Sequence, residues 1–113
     1  MIYQKKKKDH NIIVWKPEGK FFVLSQILKD HEADINGVIE LRKGGFASSS
    51  RDRTIRIFNN IMNTENKVVY FCTKKVDHYA HGLYQLVQLK DDRLCSTATD
   101  NNLIIWRDFE SLL

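Results

Sequence analysis

Two stretches of this chain, 48 residues apart, spell the same pattern, and that repetition limits the fold more than any other feature. Residues 46–58 read FASSSRDRTIRIF and residues 94–106 read LCSTATDNNLIIW. With Asp100 placed on Asp52, Ser96 falls on Ser48, Leu103 on Ile55, Ile105 on Ile57 and Trp106 on Phe58. The same offset carries the preceding segments onto each other without a gap, INGVIEL (35–41) onto LYQLVQL (83–89). A third, partial copy opens the chain in DHNIIVW (9–15), where Asp9, Ile12, Val14 and Trp15 match Asp52, Ile55, Ile57 and Phe58. The shared rule is Asp, two polar positions, an aliphatic, any residue, an aliphatic, then an aromatic.

Each copy reads as short strands, and nothing reads as a helix. Residues 35–41 are apolar, but they are few, contain Gly37 and run into Gly44-Gly45, a hairpin signal. FASSS is then a second strand, and Asp52 stabilises the next turn by accepting from the backbone two residues on. TIRIF leaves that turn as a third strand. NNIMNTEN reads as a loop and KVVYFCT as a fourth strand. In the first copy, KPEG reads as a turn and FFVLSQIL as the fourth strand, whereas YQKKKKD is a poor candidate for a core strand. The third strand of the first copy is apolar on both faces, Ile12 and Val14 on one, Ile13 and Trp15 on the other. Such a strand belongs in a sheet covered on both sides.

At 113 residues the chain fits a single small domain. Its net charge of +4 resides in one run, Lys5, Lys6, Lys7 and Lys8, and the remainder is balanced. A lysine run can contact phosphates, but only Tyr3 stands near as a stacking partner, so nucleic-acid binding is the lesser reading beside a solvated edge. Cys72 and Cys95 stand alone among apolar or small residues, without disulfide or metal-site spacing, which fits a reducing, intracellular setting, cytoplasmic or nuclear. His78-x-x-His81, with Cys72 and Asp77, lacks the further ligands of a metal site. No signal peptide, membrane span, phosphate loop, nucleophile elbow or His-Glu-x-x-His occurs, and nothing calls for a cofactor or a catalytic set.

The segments HEADINGVIELRKGGFASSSRDRTIRIF (31–58) and HYAHGLYQLVQLKDDRLCSTATDNNLIIW (78–106), with the partial copy before them, resemble the WD-repeat β-propeller family. The resemblance implies an all-β fold of antiparallel four-stranded blades: residues 1–30 would end one blade, 31–77 form a complete blade and 78–113 form most of a third. It also implies a side-chain network in each blade, from a His before the first strand, a Ser or Thr in the second, the turn Asp and the Trp of the third. Here these are His31, Ser48 and Asp52, with Phe58 in place of Trp, and His78, Ser96, Asp100 and Trp106. His78 stands one residue further from its strand than His31 does, and in the first copy Lys5 stands where the Ser should be. The Trp-Asp pair that gives the family its name is replaced by Trp15-Lys16, Phe58-Asn59 and Trp106-Arg107. Because Phe lacks an N–H, the network around Phe58 is short of one donor, and Phe58→Trp is expected to add about 1 kcal/mol.

The family implies a non-catalytic scaffold that takes a protein or peptide on a rim of loops. That rim would include Glu32, Asp34, Arg51, Arg53, Tyr79, His81 and Asn101, with Arg51 and Arg53 placed to take a carboxylate or phosphate. A propeller closes with about four to eight blades. One complete and two partial blades therefore imply a piece of a longer propeller protein, one that can carry a catalytic domain elsewhere, or self-association.

Overall fold

The computed structural model describes the backbone of residues 2–6 and the whole of residues 10–77 and 81–106. These residues form ten strands in three antiparallel sheets, each strand lying next to its neighbour in sequence. The first sheet contains β1 (Ile2–Lys6), β2 (Asn11–Glu18) and β3 (Phe21–Leu28). The middle sheet contains β4 (Ile35–Glu40), β5 (Phe46–Ser50), β6 (Ile55–Met62) and β7 (Val68–Val76). The third contains β8 (Leu83–Gln88), β9 (Leu94–Ala98) and β10 (Leu103–Trp106). No helix occurs among the described residues, and none is therefore long and apolar enough to cross a membrane.

The sheets stack face to face, and two cores fill the joints. Ile12, Val14 and Leu28 of the first sheet pack on Ile35, Phe46, Phe58 and Tyr70 of the middle one. On the other face of the middle sheet, Ala47, Ile55 and Ile57 pack on Leu83, Leu86 and Leu94 of the third. Strand alternation produces both: Ile55 and Ile57 point one way along β6, and Phe58 points the other. The middle sheet is thus apolar on both faces because both are covered.

The repeat is visible bond by bond. Arg51 donates its N–H to the Asp34 carbonyl at 2.9 Å, and 48 residues later Thr99 donates to Gly82 at 2.9 Å. Arg53 N–H to Ser50 O recurs as Asn101 N–H to Ala98 O. In the preceding hairpins, Leu41 N–H to Gly45 O recurs as Leu89 N–H to Arg93 O. Backbone conformation repeats too, with positive φ at Arg53 and Asn101 and at Gly44 and Asp92.

Three local expectations are corrected. The lysine-bearing segment is a strand: β1 pairs with β2, so the first sheet has one strand more than the sequence led us to expect. Its register sets Gln4 opposite Ile13 as Ser48 is set opposite Arg56, so Gln4 rather than Lys5 takes the place of the serine. Pairing with β2 supplies the backbone bonds that the lysine side chains say nothing about. In the second correction, Pro17 lies inside β2 opposite Phe22, and the turn is Gly19-Lys20 with Gly19 at φ 63. A glycine at the first of two turn positions suits a tight hairpin of the II′ kind. Lastly, residues 59–62 continue β6 against Val68–Phe71, leaving only the turn at 63–67. There Asn63 accepts from the N–H groups of Glu65 and Lys67.

Candidate functional site

The turn after β5 is built around Asp52. Its Oδ1 accepts from the Thr54 backbone N–H and hydroxyl, which closes the turn. Its Oδ2 accepts from the Glu32 N–H at 3.0 Å and lies 2.9 Å from His31 Nδ1. An ionised carboxylate only accepts, so Nδ1 carries the proton it donates, and Nε2 accepts the Ser48 hydroxyl proton at 2.5 Å. Ser50 adds a second clasp, its hydroxyl donating to the Asp34 carbonyl at 2.8 Å. Two loops far apart in sequence, before β4 and after β5, are thereby fixed to each other. Burial by itself would raise the Asp52 carboxyl; hydrogen bonds from His31, Thr54 and Glu32 override it and hold the group far below the usual carboxylate range.

Ser48, His31 and Asp52 stand in the order of a serine nucleophile, its base and the carboxylate that orients the base. Access decides what they can do. Ser48 is fully buried in β5 and His31 is 5% exposed, so no substrate carbonyl can approach the hydroxyl. The geometry serves to lock two loops together.

The third sheet has the indole donor that the middle sheet lacks. Trp106 Nε1 donates to Ser96 Oγ at 2.8 Å, a bond that Phe58 cannot make. Asp100 again closes its turn by accepting from the Asn102 N–H, and His81 Nε2 lies 3.9 Å from its carboxylate. His78, like Tyr79, lies outside the described residues. So do Lys7, Lys8 and Asp9. Among the described residues, no cluster of His, Cys, Asp and Glu can hold a metal ion. Both cysteines are free thiols, Cys95 buried and Cys72 half-buried.

The sequence did not foretell how the middle sheet fills the space left without a tryptophan. Phe58 stacks on Phe46, ring centroids 4.8 Å apart and planes 12° off parallel, and both are fully buried. The equivalent pair in the third sheet is Trp106 opposite Leu94. Phe46 is the signal that was available: where the third strand lacks Trp, the facing position is enlarged from Leu to Phe. The expected gain from Phe58→Trp therefore meets a fully buried position already stacked on the Phe46 ring.

The loops of all three sheets meet at one end of the stack. His10, in the turn after β1, lies 3.6 Å from Asp34. The Arg51 backbone abuts Gly82 so closely that a Cβ there would sit 3.0 Å from the Arg51 carbonyl oxygen. Of the rim residues named from the sequence, Glu32, Arg51, Arg53, His81 and Asn101 are exposed on this end, and Asp34 is half-buried. Neither a protein-family model nor any curated protein sequence matches the chain.

Proposed function

We propose that this chain is a non-catalytic binding scaffold of WD-repeat type, its sheets acting as propeller blades and its loop end taking a protein or peptide. The observation that carries the reading is the joined rim: loops from three sheets form one surface, pinned from below by the buried His31, Ser48 and Asp52. Loops held by a rigid support recognise partners without the entropic loss of ordering on contact. The 48-residue recurrence of strands, turns and hydrogen bonds supports repeated blades as the frame.

Arg51 and Arg53 flank the anchored Asp52, and both side chains are exposed beside Glu32. Asp52 is already engaged by His31, Thr54 and Glu32, so the two guanidinium groups are directed to a carboxylate or phosphate on a partner. The test is selection of peptides from a random display library on the immobilised chain. Selected peptides should be rich in acidic residues and lose at least tenfold in affinity on Arg51→Ala/Arg53→Ala, with the thermal unfolding curve unchanged. Peptides that bind the double variant as tightly would refute the rim as the site.

A further inference from the structure

The two ends of the sheet stack present apolar faces of opposite kind. At each joint within the chain, an aliphatic pair on one sheet meets the aromatic-bearing face of the next. Ile12 and Val14 meet the face with Phe58, and Ile55 and Ile57 meet the face with Trp106. The third sheet repeats that aliphatic pair as Leu103 and Ile105, with Val87 and Cys95 at the positions of Ile39 and Ala47. Ile55 and Ile57 are buried to 1% and 0% exposure, whereas Leu103 and Ile105 are 65% and 44% exposed.

At the opposite end, the first sheet turns its aromatic-bearing face outward. Trp15 occupies the position of Phe58 and Trp106 and is half-buried there beside Ile13. Leu24 pairs with Trp15 and Ile27 with Ile13, and both are exposed, Ile27 at 43%. The molecule therefore carries one half of its own internal joint at each end.

We infer that the chain associates head to tail with a second copy, the Leu103/Ile105 face of one packing on the Trp15/Ile27 face of the other. The joint reproduces contacts the chain already makes twice within itself. A contiguous apolar patch of this kind marks an interface. Because the two patches differ, the contact is heterologous and closes only as a ring or continues as a filament. Two copies joined at both ends give a ring of six sheets, inside the range in which propellers close. The ring deepens the blade reading and rests on it for closure, while the joint rests only on the packing described here.

The test is sedimentation or light scattering on the full 113-residue chain, with circular dichroism on the same sample. The expected mass is twice 13.3 kDa. Ile105→Lys and Ile27→Lys each break one patch and should each give a folded monomer. Mixed in equal amounts, they retain one intact patch apiece and should recover a dimer, a result a symmetric self-contact cannot produce. A folded wild-type monomer, an Ile105→Lys dimer or a mixture that stays monomeric would overturn the joint. A polymer in place of the dimer would overturn closure at two copies. Peptide binding at Arg51 and Arg53 is read separately, so a monomer that still binds would refute the association and leave the scaffold standing.

Discussion

Replacing Phe58 by Trp poses a sharp question, because hydrogen bonding and packing push in opposite directions. The indole would bring a donor close to Ser48, whose hydroxyl oxygen has lone pairs to spare after donating to His31. That bond is worth about 1 kcal/mol. Yet Phe58 is fully buried and stacked at 4.8 Å on Phe46, and a larger ring in such a site costs about 1–3 kcal/mol. Phe58→Trp alone should therefore destabilise by about 1 kcal/mol. Phe46→Leu alone gives up ring area and stacking, a loss of about 1–2 kcal/mol. Together they rebuild the arrangement of Leu94, Ser96 and Trp106, so the double variant should be more stable than the sum of the singles predicts, by about 1–2 kcal/mol. Urea unfolding of the wild type, both singles and the double, at one protein concentration and with m-values compared, measures the coupling. Additivity within about 0.5 kcal/mol, or a Phe58→Trp single that gains stability, would refute the argument.

Three further outcomes are expected. Asp52→Asn removes the charged acceptor of a network that includes buried His31 and should cost about 2–3 kcal/mol, read by urea unfolding. The Asp52 carboxyl is held low in the folded state, so its contribution is complete above the unfolded value near 4 and shrinks as pH falls below it; the melting-temperature gap between wild type and Asp52→Asn should narrow from pH 5 to pH 2.5. Gly45, at φ 73, lies where a Cβ would collide with the Phe58 carbonyl oxygen, while Gly44 faces open space at φ 106; Gly45→Ala should lower the melting temperature well beyond Gly44→Ala.

Strands β4 to β6 and β8 to β10 were legible because the 48-residue repeat supplies two independent spellings of each pair. A position apolar in both, such as Ile57 and Ile105, belongs to a face rather than to chance. The turn residues were legible for a local reason, since Asp52 and Asp100 each bond the backbone two residues on. What the sequence concealed depends on partners distant along the chain. β1 is a strand because β2 offers it a ladder of hydrogen bonds, and its lysines carry no trace of that. Pro17 and Met62 lie in strands for the same reason, opposite Phe22 and Val68. The stack of Phe46 on Phe58 needed the register of β5 against β6, which alternation alone leaves unfixed. His31 and Asp52 were named from a resemblance; the tautomer and the locking of two loops follow from their distances alone.

A buried imidazole, that of His31, ties those loops together. The most direct test of that tie is a ¹H–¹⁵N spectrum of the histidine side chains near neutral pH. His31 should give a downfield, slowly exchanging Nδ1–H signal that Asp52→Asn abolishes. A His31 ring whose N–H exchanges as fast as an exposed histidine's, or whose signal survives Asp52→Asn unchanged, would contradict it.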